Sequence, residues 1–187
     1  MSSANQQRKK IHPHKFTLWV GIGSIIMMFA GLTSAYIVKR DQPGWTSFTM
    51  PLIFWYSTAV MLLSSLTMQM ALKAFKERER NKYKNLVAAT TVLGILFVVL
   101  QAVGYKQLHA AGIRIEGAGA GVFFIIIFGL HALHVLGGLI GLLVLMVKAF
   151  SSRVRNYNPV PVEVATTYWH FVDLLWIYLF VFFCWIQ

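Results

Sequence analysis

Five long apolar segments alternate with short polar segments along this chain. They cover about residues 16–38, 52–72, 86–105, 121–147 and 165–186. Each reaches the roughly 20 residues that a helix needs to cross a hydrocarbon core of about 30 Å. None shows the polar–apolar alternation over about 10 residues that is typical of a membrane β-strand. The pattern therefore predicts an all-α integral membrane bundle of five transmembrane helices.

The composition agrees with this fold class. Hydrophobic residues make up 57% of the 187 residues and charged residues only 12%, which excludes an ordinary soluble domain. No polar segment between the spans is long enough to form a second domain. We therefore expect residues 1–187 to form a single transmembrane domain, preceded at 1–15 by a basic segment.

The net charge of +11 is unevenly distributed. Thirteen of the 17 Lys and Arg residues lie before the first span or in the second and fourth loops, and four lie in the first and third loops. With five crossings, the positive-inside rule places the N-terminus in the cytoplasm and the C-terminus outside. The charge thus indicates topology and a contact with anionic lipid rather than binding to nucleic acid.

The fourth span carries two histidines and three glycines. His131 and His134 are three residues apart, so they lie on one face of a helix. Gly137, Gly138 and Gly141 follow at spacings of three and seven from these histidines. Because small residues let helices approach closely in a membrane, this face is predicted to pack against another helix rather than against lipid.

The fifth span contains an aspartate and a histidine in an otherwise apolar stretch. An intramembrane Asp costs roughly 2.5–3.5 kcal/mol on insertion scales, so Asp173 is expected to face the bundle interior and to have a partner. At 1.5 Å per residue, Asp173 lies within about 3 Å of the membrane midplane, at nearly the depth of His134. We therefore predict that His134, and with it His170, is a hydrogen-bond partner of Asp173 or lies in the same polar cluster.

Other interpretations of these residues are less favoured. A haem held between helices would need a ligand on each side, for which His131 or His134 together with His170 is conceivable. A proton relay would need a continuous polar path, and the other spans offer little beyond hydroxyl groups, Gln69 and Gln101. The hydroxyl-rich second span is typical of helix packing. We thus expect a structural cluster and no catalytic, metal-binding or cofactor-binding residue in this chain.

Taken together, these residues resemble subunit III of haem–copper terminal oxidases. The most specific part is segment 168–176, with Tyr168, Trp169, His170, Asp173 and Trp176. Segment 129–135, with both histidines, is nearly as specific. Gly138 belongs with that segment. Weaker agreement comes from segment 62–67, from Gln101 with Tyr105, and from Glu163, which is equally explained as an acidic residue at a helix start. The chain is similar to the short five-helix bacterial form of that family.

The resemblance implies a cofactor-free subunit of an enzyme complex in the inner membrane of a bacterium, with its C-terminus in the periplasm. Haem and copper are expected in subunits I and II, the partners with which the complex reduces dioxygen to water and pumps protons. The subunit itself is expected to stabilise subunit I and to hold phospholipids, and a larger respiratory supercomplex is a further candidate partner. The form of segment 168–172 favours a cytochrome c oxidase over the alternative, a quinol oxidase.

Two positions depart from the family pattern. The family usually has Ser-Glu in the first span, where this chain has Ser24 followed by Ile25. In the third span the pattern Gln-x-x-Glu-Tyr becomes Gln101-Ala-Val-Gly104-Tyr105. Both intramembrane glutamates are therefore replaced, and no proton-antenna role of the first one carries over to this chain.

Two hypotheses from other functional classes stay open on the sequence. One is a small secondary transporter that uses the His–Asp cluster as its coupling site, although transporters usually show internal repeats and broken helices, which this sequence lacks. The other is a haem-binding membrane protein that acts alone. A haem absorption band from the isolated chain would favour the haem-binding protein.

The charge distribution generates a testable topology. Alkaline phosphatase fused after Gln187 should be active and green fluorescent protein fused there should be dark, because the C-terminus is predicted outside the cytoplasm. Fusions of the same two reporters after Glu79, in the basic second loop, should give the opposite result and serve as the matched control. Fluorescence from the C-terminal fusion would contradict the predicted orientation.

Overall fold

The computed structural model describes residues 13–40, 50–110, 120–151 and 159–186, and these form five helices. They are α1 (Pro13–Arg40), α2 (Ile53–Lys76), α3 (Arg80–Ala110), α4 (Ala120–Phe150) and α5 (Val160–Trp185). All five are long and apolar enough to cross a membrane, and no strand occurs in the described ranges. The predicted all-α multi-pass membrane protein is thereby confirmed. The basic residues 1–12 lie outside the described part, and the orientation of the termini stays a prediction.

The helices extend beyond the apolar segments that predicted them. In the polar stretch between the second and third spans, α2 continues to Lys76 and α3 already begins at Arg80. A turn with Arg78 at a φ of 60° joins them, and the Glu79 amide donates to the Ala74 carbonyl at 3.0 Å. Because Lys, Arg and Glu are good helix formers, the helices persist after the hydrocarbon-length segment ends.

The arrangement of the bundle centres on α5, which packs against α1, α2 and α4. Helix α3 lies between α2 and α4, and α1 contacts α4 but not α2 within the described residues. The other four helices thus follow the order α1–α4–α3–α2 beside α5. Half of the apolar window of α5 is buried, against 17% of that of α1, so the last helix is the most buried of the five described.

A charged contact joins three helix ends on the side of the α2–α3 turn. Glu163, in the first turn of α5, accepts a hydrogen bond from Lys15 of α1 at 2.7 Å and lies 3.4 Å from Lys76 of α2. The sequence indicated only an acidic residue at a helix start. Partly exposed pairs of this kind contribute at most about 1 kcal/mol each, so the contact mainly fixes the positions of the helix ends.

Close helix contacts occur at Gly138, one of the three glycines predicted for helix packing, and at Gly94. A Cβ added to Gly138 would lie 3.0 Å from the Trp169 ring, and one added to Gly94 would meet the same ring at 3.0 Å. At Gly141 a Cβ would meet no described atom within 4 Å, and at Gly137 only the Tyr168 hydroxyl, at 3.8 Å. The rotation of α4 thus turns Gly138 toward α5, and helix packing at Gly141 stays a prediction.

This difference between neighbouring glycines can be measured. Gly138→Val should lower the melting temperature of the detergent-solubilised chain by several degrees, since overpacking against a rigid ring typically costs about 1–3 kcal/mol. The matched Gly141→Val should leave the melting temperature nearly unchanged, because its side chain enters open space. Equal melting temperatures of the two variants would contradict the described packing.

Candidate functional site

Two tryptophans of α5 anchor that helix to α2. Trp169 and Trp176 are seven residues apart, so they lie on the same helix face, and both are fully buried. The indole N–H of Trp169 donates to the Ser64 hydroxyl at 3.1 Å, and that of Trp176 donates to the Thr58 hydroxyl at 3.0 Å. A buried indole without an acceptor would be costly in hydrocarbon. The α2 hydroxyl groups therefore determine where α5 can pack.

The ring of Trp176 also brings α3 and α4 together. His131 of α4 stacks on it with ring centroids 5.2 Å apart and an interplanar angle of 29°. Phe97 of α3 meets its edge at 5.5 Å, and Phe54 of α2 lies at 6.2 Å. Such aromatic pairs contribute about 0.5–1.5 kcal/mol beyond the area that they bury. One indole thus forms contacts with three different helices.

His170 forms a second polar connection between α5 and α2. Its Nδ1 lies 2.6 Å from the Ser65 hydroxyl, and its Nε2 lies 3.1 Å from Oε1 of Gln69. Because an amide oxygen can only accept, Nε2 is the donor; in the neutral ring Nδ1 then accepts the Ser65 proton. Both nitrogens of His170 therefore have partners within the chain.

Asp173 is buried at 3% exposure but lacks the predicted partner. The expected hydrogen bond from His134 does not form, because Nδ1 of His134 lies 2.7 Å from the carbonyl oxygen of Leu130 in its own helix. Neither carboxyl oxygen of Asp173 has a hydrogen-bond partner among the described residues, although the Ser65 hydroxyl approaches it. Asp173 and His170 thus share Ser65 as a neighbour, and we name these side chains with Gln69 the α2–α5 polar cluster.

His131 and Gln101 lie apart from that cluster, between α3 and α4. His131 is 2% exposed, and neither ring nitrogen has a hydrogen-bond partner in the part of the chain that the structure describes. Gln101 donates through Nε2 to the Ser57 hydroxyl at 3.1 Å, while its Oε1 has no partner among the same residues. We call these two residues the α3–α4 pair. The single cluster expected from the sequence is therefore divided in two.

Tyr168 joins α5 to α4 through a backbone group. Its hydroxyl donates to the carbonyl oxygen of His134 at 3.1 Å. The histidine side chain itself packs against Phe29 of α1, with ring centroids 5.9 Å apart. His134 is thus a contact between α1, α4 and α5 rather than a partner of the carboxyl group.

The hydroxyl groups of the second span, which the sequence indicated for helix packing, form contacts with α5 and α3. Ser57 and Ser64 are seven residues apart, as are Thr58 and Ser65, so each pair lies on one helix face. The first pair accepts hydrogen bonds from Gln101 and Trp169, and the second pair bonds Trp176 and His170. This seven-residue spacing of hydroxyl groups was the available signal.

The two positions that depart from the family pattern are occupied by packing contacts. A Cβ at Gly104 would lie 2.8 Å from Cζ of Phe54 and 3.0 Å from Ile53, so a glutamate there would displace the Phe54 ring. Ile25 packs against the buried core. At position 104, the side chains of Phe54 and Ile53 therefore fill the space that a carboxylate would need.

Two cavities accompany these contacts. One, of about 360 Å³, lies between α3 and α4 and is lined by both members of the α3–α4 pair. The other, of about 260 Å³, lies beside the α2–α3 turn and is lined by Arg78, Arg80, Lys84 and Lys148. Among the described residues, no three His, Cys, Asp or Glu side chains are grouped closely enough to hold a metal ion.

The indole–hydroxyl contact can be tested by removing its acceptor. Ser64→Ala should lower the free energy of unfolding by about 1–3 kcal/mol, because the buried Trp169 N–H loses its partner. Ser24→Ala is the matched control, since that exposed hydroxyl bonds only the Val20 carbonyl of its own helix at 3.1 Å. The unfolding free energies of both variants are measured by titrating the purified chain in mixed micelles with SDS. Equal unfolding free energies would contradict the anchoring role of Ser64.

Comparison with known proteins assigns the chain to a family. The family model described as "Cytochrome c oxidase subunit III" matches residues 44–187, which include α2 to α5. A "Probable cytochrome c oxidase subunit 3" of Mycobacterium bovis is 34% identical over 86% of this chain and 82% of the relative. A protein with the same description from Nocardia farcinica is 33% identical over 92% and 90%. The "Cytochrome c oxidase subunit 3" of Bacillus sp. (strain PS3) is 29% identical over 87% and 80%. The chain therefore belongs to the cytochrome c oxidase subunit III family, as the residues of segment 168–176 indicated.

Proposed function

We propose that this chain is the cofactor-free third subunit of a proton-pumping haem–copper terminal oxidase in a bacterial inner membrane. In this role it stabilises subunit I and holds phospholipid, while subunits I and II reduce dioxygen. Family membership supports a place in an oxidase complex. The relatives are called cytochrome c oxidase subunits, which favours cytochrome c over quinol as the electron donor of the complex.

The side-chain contacts of segment 168–176 are the observation that supports a non-catalytic, supporting role. Trp169, His170 and Trp176 are all engaged in contacts with α2, and Tyr168 is engaged with α4. A catalytic site needs groups that face a substrate and are free to exchange protons or electrons with it. The polar atoms of these four side chains instead hold helices together, which suits a subunit that acts through its partners.

The basic cavity beside the α2–α3 turn supports the proposed contact with phospholipid. It is lined by Tyr83, Leu145 and Val162, which are buried and largely apolar, and by Arg80 and Lys148, which are exposed. A phospholipid presents the same combination of apolar chains and an anionic headgroup. Basic residues near an anionic membrane surface contribute about 1 kcal/mol each. The cavity therefore suits an anionic lipid at the end of the bundle that the charge distribution places in the cytoplasm.

Co-purification tests the assignment to the oxidase. The chain, tagged at its C-terminus and extracted from its own membranes in mild detergent, should bring down subunits I and II together with their haem absorption. Trp176→Ala should reduce the amount of co-purified subunit I several-fold, because the bundle loses the ring that joins α2, α3 and α4.

A matched tryptophan provides the control for that experiment. Trp19→Ala should retain subunit I at the wild-type level, because the Trp19 side chain is 63% exposed and lies outside the family match. Purification of the wild-type chain without any haem–copper subunit would contradict the proposed function. A haem band that stays with the chain after subunit I is removed would instead favour a haem protein that acts alone.

A further inference from the structure

One side of α5 is left uncovered by the bundle. Helix α5 contacts both α1 and α2, but α1 and α2 do not contact each other among the described residues. Leu174, Ile177 and Val181 of α5 follow one another at spacings of three and four, so they lie on one helix face, and all three are exposed. We name this face, together with the exposed Leu62 and Leu66 of α2, the α1–α2 slot.

The contacts of two neighbouring residues show where this face of α5 points. His170, four residues before Leu174, bonds α2. Tyr178, four residues after Leu174, places its hydroxyl 2.9 Å from the Thr33 hydroxyl of α1. At about 100° per residue, Leu174 is rotated by about 40° from each of them. Leu174 therefore points into the gap between α2 and α1.

Gln69 adds polar groups to the α2 wall of the slot. It is exposed, and it lies seven residues after Leu62, on the same face of α2. Its Oε1 accepts the hydrogen bond from Nε2 of His170 at 3.1 Å. Its amide nitrogen, which carries two N–H groups, has no hydrogen-bond partner among the described residues. The wall thus presents donors that this chain does not satisfy.

The depth of Gln69 excludes the lipid as the partner of these donors. Gln69 lies seven residues beyond the centre of the apolar segment 52–72, about 10 Å from the membrane midplane. The hydrocarbon core extends to about 15 Å, and the ester carbonyls of a lipid lie at its edge. The acyl chains around Gln69 therefore offer no acceptor, and an unpaired amide N–H is costly in hydrocarbon.

A helix of another protein supplies what the lipid lacks. Polar side chains within membrane spans almost always face the interior of a bundle, so the exposure of Gln69 marks a surface that becomes interior on assembly. Serine, threonine, asparagine and glutamine side chains accept hydrogen bonds across helix contacts in membranes. The remainder of such a helix can be apolar, since the leucines of the slot require only close packing.

We propose that the α1–α2 slot receives a transmembrane helix of another subunit of the oxidase. This helix covers Leu174 and Val181 with apolar side chains and places one acceptor side chain opposite the amide nitrogen of Gln69. Both walls that the argument uses, α2 and α5, lie within the region that matches the family model. The identity of the partner rests on the proposed function, whereas the slot is formed by this chain alone.

Photocrosslinking in native membranes tests the slot. The variant Leu174→p-benzoylphenylalanine should form a covalent adduct with another oxidase subunit, identified by mass spectrometry of the adduct band. The matched control is Leu133→p-benzoylphenylalanine on α4, which should give several-fold less of that adduct. The two leucines are 67% and 65% exposed, and both lie within about 3 Å of the midplane.

A glutamine variant tests the acceptor. In the Leu174 probe background, Gln69→Met keeps the length of the side chain but removes its donors, and should lower the adduct yield several-fold. Gln107→Met, at the other exposed glutamine of the described spans, is the control and should leave the yield unchanged. If Gln69→Met fails to accumulate, a probe at Leu66 replaces it and should form an adduct with the same subunit.

The remaining outcomes separate this proposal from the proposed function. An adduct with lipid alone, an adduct with a second copy of this chain, or equal adducts from the two leucine probes would overturn the docking of a partner helix. If subunits I and II co-purify with the chain in that case, the proposed function stands without the slot. Their absence from the purified wild-type chain would instead contradict the proposed function, and with it the identity of the partner.

Discussion

The packing of α5 against α2 through Trp169 and Trp176 is the interaction on which the rest of this bundle depends. Helices in lipid gain no hydrophobic free energy by contacting one another, since lipid tails are as apolar as side chains. Association therefore rests on close packing and on hydrogen bonds. Each indole supplies both, because its N–H bonds an α2 hydroxyl and its ring contacts α3 or α4. The glycines of α3 and α4 make room for the Trp169 ring.

This arrangement distributes the polar side chains unequally. His170 on the α5–α2 side has both ring nitrogens bonded within the chain, whereas His131 on the α3–α4 side has neither bonded among the described residues. Trp176 contacts both sides, because it bonds α2 with its N–H and stacks on His131 with its ring. The engaged side therefore suits the proposed supporting role.

The sequence predicted the five helices well and their mutual contacts poorly, for a physical reason. The length of an apolar segment determines whether it spans a membrane, and that information is local. Contacts depend instead on the rotation of each helix, about 100° per residue, which depth does not determine. Asp173 and His134 were matched by depth, yet His134 bonds its own helix. Likewise the α5 rings approach Gly138 more closely than its neighbour Gly137, which lies one residue, or about 100°, away.

A double-mutant cycle between Trp169→Phe and Ser64→Ala measures the central interaction most directly. Each single change removes the indole–hydroxyl bond, and the pair leaves no bond to lose. If that bond positions α5, the unfolding free energies of the purified chain should show a coupling of about 0.6–1.5 kcal/mol. Additive effects, with a coupling indistinguishable from zero, would contradict the anchoring of α5 through its tryptophans.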